Sequence, residues 1–218
     1  MNSSRRTFLA AGATGGLALT AGCLDFVLGR GPLEFQAARV APTDGALDET
    51  GYEEESVDEE TIEERVEASG VEREVRASYW VSTYTNAVEY EGEEREAALF
   101  GSVAVPAMEI AGRSFNPLDD LSNRELLEEF LGEVDDGDQI ENLDHGESFS
   151  LSVLDAVRDI DVFVGETELD GDRIDVDVVV TSFTHEDDMI ILLGSYPSAL
   201  ADEGPAIEAL IESVEHPL

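Results

Sequence analysis

Arg173-Ile174-Asp175-Val176-Asp177-Val178-Val179-Val180-Thr181-Ser182-Phe183-Thr184 decides the fold. Ile174, Val176, Val178 and Val180 fall on one face of an extended chain, and Asp175, Asp177 and Val179 on the other. Such period-two alternation predicts a strand with one face in a core and the other partly wet. Its neighbours repeat the pattern. Ser148–Leu154, Val157–Glu168 and Met189–Tyr196 read as three more strands, with turns at Asp155-Ala156, at Asp170-Gly171 and across His185–Asp188. Pro197 stops the last strand. Glu203–Val214 then carries a helical stripe of Ile207, Leu210, Ile211 and Val214, with Pro205 near its first turn. An antiparallel meander closed by a helix predicts an α+β fold. The expected architecture is a twisted, mainly antiparallel sheet of about seven strands with two helices packed on one face.

Upstream, Ser122 is a suitable N-cap, and Glu125 completes a capping box. Leu126, Leu127, Phe130 and Leu131 form the apolar face of a helix ending at Gly132. Val134–Glu141 contains Asp135, Asp136, Gly137 and Asp138, but its acids are out of register for a calcium loop. Ala97–Val105 is an apolar strand ended by Pro106, and Met108–Pro117 a compact strand and turn. Thr61–Ala68 and Val71–Tyr90 read as a long hairpin around Ser69-Gly70. In its second arm Val71, Val75, Ala77, Tyr79 and Val81 share the apolar face. Trp80 and Tyr84 lie on the mainly polar face with Asn86 and mark a candidate surface patch. Glu49–Glu60 holds seven acids in twelve residues and reads as a solvated surface segment. Pro42–Asp48 is a turn-rich link or short helix, and Leu33–Val40 a first strand.

The first 23 residues carry an address. Ser4-Arg5-Arg6-Thr7-Phe8-Leu9 resembles a twin-arginine (Tat) export signal, with Arg5, Arg6, Phe8 and Leu9 at its fixed positions. A basic start, an apolar middle diluted by Gly12, Gly15 and Gly16, and a small-residue cleavage site make a secretory leader. Thr20-Ala21-Gly22-Cys23 resembles a lipobox, although Thr20 stands where Leu is usual. Cys23 is the single cysteine, so no disulfide can form within one molecule. The apolar run is shorter than the ~20 residues of a spanning helix. The reading is therefore a signal peptide over 1–22, a lipidated tether over 23–32 and one domain over 33–218. The expected place is the outer face of the cell membrane, held by lipid on Cys23.

All 12 basic residues are Arg, set against 51 acids, for a net charge of −39. Such a charge repels itself, but at molar salt the Debye length is only about 3 Å. The composition suits brine. It excludes nucleic acid as a partner, since phosphate binding needs clustered Lys or Arg.

Leu24–Gly29, Gly31–Phe35, Thr50-Gly51-Tyr52, Phe115-Asn116-Pro117, Ser122–Leu126 and the closing meander resemble a family of haloarchaeal lipoproteins of unknown function. In topology the sheet-then-helix ending is also similar to PsbP-type extrinsic domains, which implies a binding or assembly module. The first resemblance implies an address and no activity.

No catalytic motif rises above background. There is no Gly-x-Ser-x-Gly elbow, and a phosphate-binding Gly-Lys loop is impossible without lysine. His145, His185 and His216 show no paired metal-ligand spacing, and no metal or other cofactor is assigned. Two functions are weighed. One is a lipid-anchored binding or assembly module whose protein or small-molecule ligand is unknown. The other is an exported hydrolase using acids with His185 or His145, which predicts a cleft with a desolvated carboxylate.

Overall fold

The computed structural model describes residues 32–68, 71–90, 93–110, 113–114, 116–133, 140–169, 171–200 and 202–218. The export signal, Cys23, most of the tether, and the acidic run from Val134 to Gln139 lie outside them, as do the Phe130 and Leu131 side chains. Among the described residues no helix is long and apolar enough to cross a membrane.

The chain forms two compact units. In the smaller, which includes Ile62–Arg76, Val75 is buried and Arg76 pairs with Glu34 at 3.6 Å and Glu63 at 2.6 Å. The larger holds Phe35–Thr61 and Ala77–Leu218. Ten strands and three helices are described. The strands are β1 (Leu33–Gln36), β2 (Glu53–Ala68), β3 (Val71–Tyr90), β4 (Glu93–Pro106), β5 (Glu109–Ile110), β6 (Arg113–Ser114), β7 (Glu141–Val153), β8 (Ala156–Leu169), β9 (Asp172–His185) and β10 (Asp188–Pro197). The helices are α1 (Asp44–Thr50), α2 (Asn123–Glu133) and α3 (Glu203–Ser213). One open sheet runs β1-β3-β4-β10-β9-β8-β7, with β2 also on β3, and β5 pairs with β6 separately.

The meander β7–β10 is present, antiparallel throughout. Its β7–β8 turn sits one residue before the expected place. Leu154 and Asp155 make it, both at positive φ (49° and 60°), which suits a two-residue hairpin. Gly171 supplies φ +93° at the next turn, where a Cβ would be strained. β10 then pairs antiparallel with β4, so the meander's last strand becomes central.

The two predicted helices do not share a face. Ile207, Leu210 and Ile211 of α3 pack with Ile160, Val179, Ile190, Leu192, Tyr84 and Phe100. α2 sends Leu127 against Phe163, Val176, Val178 and Val180, and Leu126 against Met189 and Ile191. Residues 190 and 192 of one strand point opposite to 189 and 191, so the helices cover opposite sides. The reason is visible in Val178–Thr181, buried at four consecutive positions. A strand apolar on both faces needs a cover on each. α1 joins the α3 side through Ala46 and Leu47, with Thr43 as N-cap and Gly51 (φ +80°) closing it.

Two further expectations are corrected. The first arm of the long hairpin starts at Glu53 and not at Thr61, so the acidic segment, solvent-exposed as expected, is largely strand. Trp80 and Tyr84 do not form a surface patch. Tyr84 is fully buried against Phe100, with ring centroids 5.9 Å apart, and its hydroxyl accepts from Arg39 Nη2 at 3.1 Å. Trp80 is half-buried against the same core. Their partners explain it: Trp80, Ser82 and Tyr84 lie opposite Ala104, Ser102 and Phe100 of β4, all buried.

Candidate functional site

A buried polar cluster in the larger unit lies where three distant segments meet. The β9–β10 turn supplies His185 at its start and Asp188 at its end. The strand-like segment after α3 supplies His216. An antiparallel bridge places that segment: Glu215 N donates to Ala41 O at 2.8 Å and Ala41 N to Glu215 O at 3.3 Å. Leu218 N donates to Arg39 O at 3.0 Å, extending the attachment. His216 is thereby held inside, its side chain 1% exposed. Its Nε2 lies 3.1 Å from Asp188 Oδ2, and its Nδ1 lies 2.9 Å from His185 Nδ1. Asp188 Oδ2 also accepts from Ala38 N at 2.8 Å. Asp188 is buried, and its Oδ2 has two hydrogen-bond partners there.

The hydrogen-bond pattern fixes much of the protonation. A carboxylate only accepts, so His216 Nε2 carries a proton toward Asp188. One proton, on one ring or the other, must lie between the facing Nδ1 atoms. Neither imidazole has a nucleophilic hydroxyl or thiol as a hydrogen-bond partner among the described residues.

A second cluster holds the residue types of a catalytic triad but not its wiring. On β7 and β8, His145 Nε2 lies 3.0 Å from Ser148 Oγ, and Ser148 Oγ donates to Asp161 Oδ1 at 2.6 Å. In a working triad the serine proton goes to the imidazole. Here it goes to the carboxylate, and the imidazole Nε2 lies beside both, 3.5 Å from the same Asp161 Oδ1. Asn123 Nδ2 donates to Asp161 Oδ2 at 2.8 Å, and Ser182 Oγ donates to Asn123 Oδ1 at 2.7 Å. Burial works against the Asp161 charge, but the hydrogen bonds from Ser148, Asn123 and His145 prevail and hold its carboxyl below the usual range. The network joins the α2 N-terminus to three strands. Phe163 completes it, edge-on to His145 at 5.5 Å and under the Arg124 guanidinium at 5.0 Å.

Two open grooves accompany these clusters. One, of about 420 Å³, is lined by Asn142, Asp144, Val164, Gly165, Glu166 and Asp175. The other, of about 600 Å³, runs beside His216 between Ser152–Asp155 and the Glu212–Leu218 segment. Both are acid-lined. Among the described residues no group of three or more His, Cys, Asp or Glu is arranged to hold a metal ion.

Of the predicted site residues, His185 enters the buried cluster and His145 the exposed network. His216 and Asp188 were missed as partners. They stand 28 residues apart and Ala38 is 150 from Asp188, so no local pattern announces them. The one available hint was that Asp188 opens a strand whose next five residues, Met189–Leu193, are all apolar.

Residues 39–215 match the model of a family described as a domain of unknown function, DUF6517. The match spans most of the chain, and the chain belongs to that family. No curated protein matches it.

Proposed function

We propose that this DUF6517 protein is a lipid-anchored module on the outer face of the cell membrane of a halophile, acting by binding or assembly rather than by catalysis. The observation that carries the reading is the leader: Ser4–Leu9 in Tat form and Thr20–Cys23 in lipobox form. The acid coat without lysine and the likeness to haloarchaeal lipoproteins support the halophilic part. Two lipid chains on one cysteine anchor firmly, each buried methylene adding about 0.8 kcal/mol. The likeness to PsbP-type domains, which is topological, favours a protein as the partner.

The rival reading, an exported hydrolase, needs a hydroxyl or water poised against an imidazole base. Ser148 donates to Asp161 instead, and His185 Nδ1 is engaged by His216. Both arrangements count against it. Both helices also fill their sides of the sheet with buried apolar residues, and the two grooves are open.

The test is fractionation of the full chain expressed in a Tat-competent halophilic host. The wild type is expected in the membrane fraction with an intact mass raised by lipid on Cys23. Arg5→Lys with Arg6→Lys leaves precursor in the cytoplasm, and Cys23→Ser sheds the protein to the medium. A wild-type protein exported with a free Cys23 thiol overturns the anchor.

A further inference from the structure

We infer that His185, His216 and Asp188 form a proton-operated clasp that holds the Glu215–Leu218 segment at neutral pH and releases it when both imidazoles are charged. The argument is a count of protons. With both rings neutral, His216 carries its proton on Nε2 for Asp188, leaving Nδ1 as acceptor. His185 then carries its proton on Nδ1 and donates across the 2.9 Å gap. One added proton enters on His185 Nε2 and disturbs neither bond. It makes the Nδ1–Nδ1 bond charge-assisted and gives Asp188 a counter-charge, so the clasp tightens. On the two rings a second proton has only one place left, His216 Nδ1. Two N–H groups then point at each other between two cations in a site where His216 is 1% exposed. The bond becomes a repulsion, and the buried second charge is uncompensated.

The other charged groups nearby do not change that count. Glu186 and Asp187 are exposed in the turn. Asp155, Glu212 and Glu215 line the groove outside. On the Ala38 side Arg39 bonds to Glu54, Ser82 and Tyr84. None of these is hydrogen-bonded to either imidazole. They leave the Nδ1–Nδ1 geometry as it is.

Release has a defined consequence. Glu215, His216, Pro217 and Leu218 form one wall of the 600 Å³ groove. Losing the Ala41–Glu215 bridge removes that wall and uncovers Ala41, 5% exposed, and Val40, 1% exposed. The clasp makes the groove acid-sensitive, whatever the groove binds.

The experiment is amide hydrogen exchange of the full chain in molar KCl, read by mass spectrometry between about pH 8 and about pH 5. Exchange in residues 38–41 and 215–218 is corrected for intrinsic rates and compared with β4 and β10. The expected result is protection that holds or rises at first, then falls at least about tenfold in these two segments alone. His185→Gln is the decisive variant. Its amide can turn to donate to or accept from His216 Nδ1, so the bond survives every state and acid release disappears. Asp188→Asn, which keeps an acceptor but loses the charge, moves release to higher pH. His145→Gln leaves the curve unchanged. The inference is overturned if the wild-type segments lose protection only together with β4 and β10, or if His185→Gln opens at the same pH as the wild type.

Discussion

Gly194, in the middle of β10, shows how little room a single position has. A Cβ built there would lie 2.5 Å from Ile207 Cγ2 and 2.8 Å from its Cδ1. The helix α3 can sit this close to the sheet because the strand offers bare backbone at the contact. Gly194→Ala therefore pushes Ile207 off its rotamer or lifts the helix, at a cost of about 1–3 kcal/mol. Chemical denaturation in molar KCl measures it. Ile207→Ala alone is also destabilising, but the two together should lose less than their sum, since one removes what the other strikes. Strict additivity would show that α3 does not rest on Gly194. Nothing in the sequence around Gly194 reveals this, because a glycine between Leu193 and Ser195 reads equally as a bend.

At the scale of elements, the Asn123 side chain decides how α2 is tied down. It bridges Ser182 of β9 and Asp161 of β8 in a partly buried setting. Asn123→Ala should cost about 1–3 kcal/mol, because Asp161 loses a donor and Ser182 an acceptor. The loss has a pH signature. Asp161 titrates below the usual carboxyl range in the fold, so its contribution is present above the unfolded value and is lost as pH falls through the folded one. Removing a donor raises the folded value, so Asn123→Ala should lose its Asp161 contribution at a higher pH than the wild type. Equal acid midpoints would remove Asp161 from this role. The capping box that starts α2 was legible: Ser122 N donates to Glu125 Oε2 at 2.8 Å, as the spacing predicts. The closing meander was legible because alternation marks a strand wherever one face is wetter than the other. The start of β2 was not, because Glu53, Glu54, Glu55, Asp58, Glu59 and Glu60 are exposed on both faces and leave no alternation to see. The placement of α2 and α3 on opposite faces was hidden for a related reason. A pattern tells which residues are covered and not which helix covers them. For the His185–His216–Asp188 cluster the sequence offered His185 as a candidate but not its partners, since the geometry exists only after β10, the segment after α3 and the Ala38 segment have come together.

For the whole molecule, two titrations set its range. Burial, then the neighbouring Glu203 carboxylate, push the Tyr52 hydroxyl well above its ordinary value, and Tyr52 donates to Glu203 Oε2 at 3.0 Å. Burial and Asp177 push Tyr196 up to about 12. Unfolded tyrosine ionises near pH 10. The unfolded chain therefore releases these protons first, so their stabilisation is full below about pH 10 and is lost as pH rises toward the folded values. The denaturation midpoint should be level to about pH 10 and then fall, and Tyr52→Phe should flatten the fall. At neutral pH the controlling variable is salt. With 51 acids against 12 Arg, like charges crowd every exposed strand. The exposed pairs Arg76–Glu63 and Arg173–Glu166 offset little of this, since surface pairs contribute about 0–1 kcal/mol each. As KCl falls from about 1 M to about 0.1 M the Debye length grows from about 3 to about 10 Å, and acids along β2 begin to repel one another. The protein should lose stability steeply over that range. High salt also strengthens apolar burial, so the salt curve alone does not isolate charge. Glu53→Gln, Glu55→Gln and Glu59→Gln together remove three exposed charges from one strand and no apolar contact. If repulsion sets the salt requirement, the triple variant keeps its fold at lower KCl than the wild type. If its midpoint follows the wild-type curve throughout, the salt is acting on the core and the acid coat serves solubility alone.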